Sequence, residues 1–158
     1  MDGNIVDATI AEAREKPDKD HVLARLQDWQ NRVHALYDTV QKALGPKYVY
    51  DRTGKNEPRE EMVQRVGLEP GEVPKLDVLK ITQNDRQLAL FTPRSLWMIG
   101  ANGQVDIVVT AKSGGRRLYN LIDRSLPLSK NPDWRIVRPA DRLHQPPFRP
   151  DTLADLLI

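Results

Sequence analysis

Residues 88–122, LALFTPRSLWMIGANGQVDIVVTAKSGGRRLYNLI, alternate short apolar runs with turn residues, and few arrangements other than an antiparallel meander accommodate that pattern. The breaks fall at Thr92-Pro93-Arg94, at Gly100 to Gly103 and at Ser113-Gly114-Gly115. Leu96 to Ile99 and Val105 to Val109 read as partner strands. Asn102 and Gly103 between them tolerate the positive φ that a tight hairpin turn requires. After Ser113-Gly114-Gly115 the chain returns through Arg117 to Ile122. A meander of this kind needs further strands and a cover for its apolar face.

The cover is legible upstream. Asp18 or Asp20 offers an N-cap and Gly45-Pro46 a stop, and residues 20–44 between them have helical periodicity. Val22, Leu26, Trp29, Val33, Leu36, Val40 and Ala43 alternate spacings of four and three, which is a heptad seam, and Leu23, Tyr37 and Leu44 widen it. Two uses of the stripe are open: packing on the chain's own sheet, or an intermolecular helical pair. For the second, Val22, Leu26, Trp29, Val33, Leu36, Tyr37 and Val40 are the candidate oligomerisation residues. The organisation expected is a helical arm over residues 1–45 and a β-rich domain over 46–158.

Around these two features the remaining elements are short. Residues 4–16 form a weakly amphipathic helix ended by Pro17. Lys47 to Asp51 reads as a strand, Pro58 to Gly67 as a helix, and Leu76 to Thr82 as a strand that turns at Asn84-Asp85 into Gln87 to Phe91. Asp133 to Val137 is the last strand, set in a proline-rich tail, and residues 151–158 form a short terminal helix with Leu153, Leu156, Leu157 and Ile158 on its apolar side. The fold class is α+β: a long N-terminal helix, about six strands in a bent antiparallel sheet or small barrel, and a short C-terminal helix.

Composition narrows the function classes. The chain has no cysteine, which removes disulfides, thiolate metal ligands and cysteine nucleophiles. Its beginning has no basic region followed by an apolar run and no segment is long and apolar enough to span a bilayer, so a cytoplasmic location without membrane contact is expected. The net charge of +2 conceals an asymmetry. Residues 1–85 hold 13 Lys+Arg against 16 Asp+Glu, and residues 86–158 hold 11 against 6.

His21, His34 and His144 have no metal-ligand spacing, since thirteen residues along a helix turn the first two about 140° apart. Neither a Walker loop, a G-x-G-x-x-G turn nor a G-x-S-x-G elbow occurs. No metal and no cofactor is expected. GANGQVDIVV with the strand after it resembles the core of restriction-type nucleases, in which a glycine-bearing turn precedes an acid on one strand and the next strand carries an acid, a spacer and a lysine. The resemblance implies Asp106 as the first acid, with Asp77 near it. This chain departs from the pattern at Asn120 and Ile122, where the second acid and the lysine belong, so an inactive relative is as compatible as an Mg²⁺-dependent nuclease.

The basic segment is the other signal. Lys112, Arg116, Arg117, Arg124, Lys130, Arg135, Arg138, Arg142 and Arg149 outnumber Asp123, Asp133 and Asp141, with Tyr119 and Trp134 interleaved. Arginine's planar fork suits carboxylate or phosphate, and Arg116, Arg117, Arg135 and Arg138 are the candidate anion-binding set. A near-neutral chain is not built as a dedicated nucleic-acid binder. The function expected is therefore non-catalytic: a self-associating interaction or binding protein with an unidentified protein partner. A nucleic-acid or nucleotide-binding module using the arginines is the first alternative, and a metal-dependent nuclease or its inactive relative the second.

Overall fold

The structure is a computed structural model that describes residues 5–14, 18–57 and 60–157. The chain order is α1 (Ile5–Arg14), α2 (Lys19–Leu44), β1 (Val49–Asn56), α3 (Glu61–Arg65), β2 (Leu76–Gln83), β3 (Arg86–Ser95), β4 (Gln104–Thr110), β5 (Arg116–Asp123), β6 (Trp134–Val137) and α4 (Pro150–Leu156). The six strands form one antiparallel sheet in the order β1-β2-β3-β4-β5-β6. Because β1 pairs only with β2 and β6 only with β5, the sheet is open, and the barrel expected as an alternative does not form. Residues 151–157 of the terminal-helix expectation are described and Ile158 lies outside, as does Pro17 at the end of the first helix.

Helix α2 begins where the sequence predicts it, because the Asp18 side chain accepts from the Asp20 amide at 3.1 Å. It ends at Gly45, whose φ of 81° a non-glycine residue rarely adopts. Its apolar stripe packs on the sheet: Val22, Leu26, Trp29, Val33, Leu36, Tyr37 and Val40 share a core with Leu79, Ile81, Ala89, Phe91, Val105, Ile107 and Leu121. The seven side chains are between 0% and 5% exposed. At the last heptad position Ala43 is exposed and Leu44 buried in its place. A straight helix drifts about 20° per heptad from a 3.5-residue repeat, so by the third heptad the next residue faces inward, as packing on a sheet allows.

Three expectations about the meander are corrected. Pro93 does not break β3, which runs to Ser95 with an irregularity between Pro93 and Ser95. The pairing with β2 ends at Phe91, and the Pro93 carbonyl accepts from the Asn56 side chain on that side, where a strand residue's own amide would also point. Leu96 to Ile99 is not a strand, and Asn102-Gly103 is not a two-residue hairpin turn. The segment between β3 and β4 is a longer loop held from outside: the Glu60 carboxylate accepts from the Leu96 and Trp97 amides, and the Asn102 amide donates to the Asp123 carbonyl at 2.6 Å. The turn at Asn84-Asp85 has positive φ at both residues, 53° and 61°, as a primed hairpin turn requires.

Only one face of the sheet meets α2. On the other, the register sets Leu90, Val108 and Leu118 side by side across β3, β4 and β5, continuing to Lys80 on β2 and Asp51 on β1. Met98, Ala101, Ile122 and Val137 cover one end of this second face.

Candidate functional site

Strand alternation separates the four candidate anion-binding arginines. Arg116 pairs with Thr110 and lies on the open face, whereas Arg117 pairs with Val109 and lies on the helix side. Arg135 pairs with Ile122, six residues of β5 away from Arg116 or about 20 Å along the strand. Each of its three nitrogens is already engaged: Nε and Nη2 reach the Asp133 carboxylate at 2.9 and 3.2 Å, and Nη1 reaches the Gln145 carbonyl at 3.4 Å. Arg138, just past β6, sets its guanidinium 6.0 Å from the centre of the Tyr119 ring. The set does not converge on one surface, and Arg138 lines a cavity.

That cavity, about 300 Å³, lies between β5, β6 and α4. Its apolar wall consists of Tyr119, Ile136, Pro146 and Leu156, and its polar rim of Arg138, Asp141, His144 and Thr152. The proline-rich tail builds it. After a turn closed by the Asp141 amide on the Arg138 carbonyl at 2.9 Å, the chain arches away and returns along β6. Pro146 O there accepts from Ile136 N at 3.0 Å, and Phe148 N donates to Trp134 O at 2.9 Å. Proline suits this edge position, which needs only part of a ladder. Pro150 then starts α4, and Leu153, fully buried, anchors the helix in the core. Among the described residues the Arg138 guanidinium makes no ion pair.

The two acids singled out by the nuclease resemblance do not meet. Asp106 is on the open face of β4 and receives Arg94 Nε at 2.9 Å, Gln104 Nε2 at 2.9 Å and Asn120 Nδ2 at 2.7 Å. Asn120, at the position of the missing second acid, thus acts as a donor to the first. Asp77 is on the helix side of β2, where it pairs with Lys55, stands 3.6 Å from Arg52 Nε and 3.3 Å from His34 Nε2. The His34 contact is within ion-pair range but lacks hydrogen-bond alignment. Burial pushes the Asp77 carboxyl up, but the Lys55 hydrogen bond and the charges of His34, Lys55 and Arg52 outweigh it and hold the group below its ordinary 3.8. Among the described residues no group of three His, Asp or Glu side chains is placed to hold a metal ion.

A buried polar cluster was not legible in advance. Arg25 and Arg32, 2% and 5% exposed, sit on the flank of the α2 stripe seven residues apart. Arg32 Nη1 donates to Asp123 Oδ2 and to the Asn102 carbonyl, both at 2.7 Å, and its Nε to Asp28 Oδ2 at 2.8 Å. The other Asp123 oxygen accepts from the Ser125 and Asp133 amides at 2.9 Å each. Arg25 Nη2 donates to Asn102 Oδ1 at 3.0 Å and lies over the Trp97 ring. With its carboxylate satisfied on both oxygens, this ion pair fastens α2 to the β3–β4 and β5–β6 connections. The only sequence signal was an acid, Asp123, directly after the apolar pair Leu121-Ile122 at the end of β5.

No helix among the described residues is long and apolar enough to cross a membrane. Comparison with protein-family models, with curated proteins and with solved structures finds no match to this chain.

Proposed function

We propose that the protein is a non-catalytic interaction protein that self-associates through the open face of its sheet. The observation that carries this reading is the row Leu90, Val108 and Leu118, directly paired across three strands on the face turned away from α2, with Leu118 46% exposed. The heptad residues of α2 are consumed by the chain's own core, so a second copy meets a different surface. The polar neighbours of the row favour a second copy as the occupant. Asp106 is already neutralised by Arg94, and Asp51 stands opposite Lys80, so the face carries both signs, as a surface that meets its own copy requires. Two such sheets stacked face to face make a four-layer assembly with the helices outside, at the ordinary sheet spacing of about 10 Å. Support for the non-catalytic part comes from Asp106, whose three donors leave it a structural acceptor.

Sedimentation velocity tests the reading. The intact chain sediments at twice the chain mass in the micromolar range, and Leu118→Asp, at a position the fold leaves exposed, weakens association at least tenfold. A wild-type monomer at a hundred micromolar, or a dimer indifferent to Leu118→Asp, overturns it.

A further inference from the structure

We infer that the cleft between β5, β6 and α4 is a binding site for an apolar monocarboxylate. This rests on observations separate from the sheet face. Its volume of about 300 Å³ is at the small end of ligand pockets, enough for one compact organic molecule. Tyr119 and Ile136, both buried in the fold, give it a fixed apolar floor, and Leu156 and Pro146 flank them. A ligand body laid there leaves water without reordering the apolar walls, because the tail strap and the buried Leu153 already hold them.

The head group follows from Arg138. The buried Arg32 is committed to Asp28 and Asp123, and Arg135 to Asp133, but the Arg138 guanidinium leans over the Tyr119 ring with no carboxylate partner among the described residues. A planar fork held against an aromatic face presents two parallel donors, the geometry that a carboxylate accepts. Asp141 closes the same turn and lines the same rim, yet the two side chains form no ion pair. Its charge opposes a dianion, so a phosphate monoester is disfavoured and a singly charged head favoured. Thr152 and His144 complete the rim as hydrogen-bonding groups.

The test is a titration of the full chain followed by amide chemical shifts, with 3-phenylpropionate, its neutral amide 3-phenylpropanamide and phenyl phosphate as probes. The carboxylate is expected to saturate with shifts at Tyr119, Ile136 and Leu156, and to bind at least tenfold tighter than either other probe. Arg138→Gln, a change at an exposed side chain, should erase the preference for acid over amide, while Arg135→Gln preserves it. Equal binding of acid and amide, tighter binding of the phosphate, shifts confined to other surfaces, or an unaltered preference in Arg138→Gln overturns the assignment. Each of these results leaves the oligomer measured by sedimentation untouched, so the two readings fail independently.

Discussion

At Gly103 a single hydrogen atom decides whether α2 can lie against the sheet. Its φ is 120°, and a Cβ there would fall 2.3 Å from Trp29 Cζ3, so both backbone and packing require glycine. Gly114 also has positive φ, 89°, but a Cβ would meet nothing within 4 Å. Gly103→Ala should therefore cost about 3 kcal/mol or more and Gly114→Ala about 1 kcal/mol, compared by urea denaturation. Glu60 gives a second test at this scale. Burial pushes its carboxyl above the ordinary 4.5 against the pull of the Leu96 and Trp97 amides and of Arg25. A raised carboxyl in the folded state binds its proton more tightly than in the unfolded chain, so its contribution is complete below about pH 4 and declines as pH rises through the folded value. Glu60→Gln should flatten the wild-type stability curve across that window. A curve of unchanged slope would show that other groups set it.

At the scale of elements, α2 is the part whose reading divides most sharply between its own core and a neighbouring chain. Leu36→Asp places a charge at a site 5% exposed and should destabilise the isolated monomer by about 3 kcal/mol or more, by the same amount at every protein concentration. A seam between chains would instead make the loss depend on concentration. The ends of α2 were legible because Asp18 and Gly45 act through local geometry, and so was the Asn84-Asp85 turn. Pro93 and Leu96 to Ile99 were misread for a common reason. Proline looked like a break, though its missing amide falls where the β2 ladder has ended, and an apolar run looked like a strand, though Glu60 and Arg25, distant in sequence, hold it as a loop. The cleft was not legible at all. Its arginine is one of several in the basic segment, but what singles out Arg138 from Arg116, Arg117 and Arg135 is the return of the tail along β6, and the prolines show that the tail is irregular without showing where it goes.

For the whole molecule, association and stability are linked. If the sheet face is the contact, the wild-type melting temperature rises with protein concentration and that of Leu118→Asp does not, since only the folded face binds its copy. On the same scale, the two halves of the sequence are joined in the interior by Arg32 and Asp123, 91 residues apart, each the minority charge of its own half. That pair has a consequence in time. Each strand hydrogen-bonds to its neighbour in the chain, so the sheet can extend hairpin by hairpin during synthesis, with little loop to close at each step. Helix α2 is made before every strand, yet its lock, Asp123, stands at the end of β5, and the Asp133 amide that completes it comes later still. The helix that covers the sheet is thus made before any strand and locked only once β5 is complete, and until then its apolar stripe is shielded only by whatever part of the sheet has emerged.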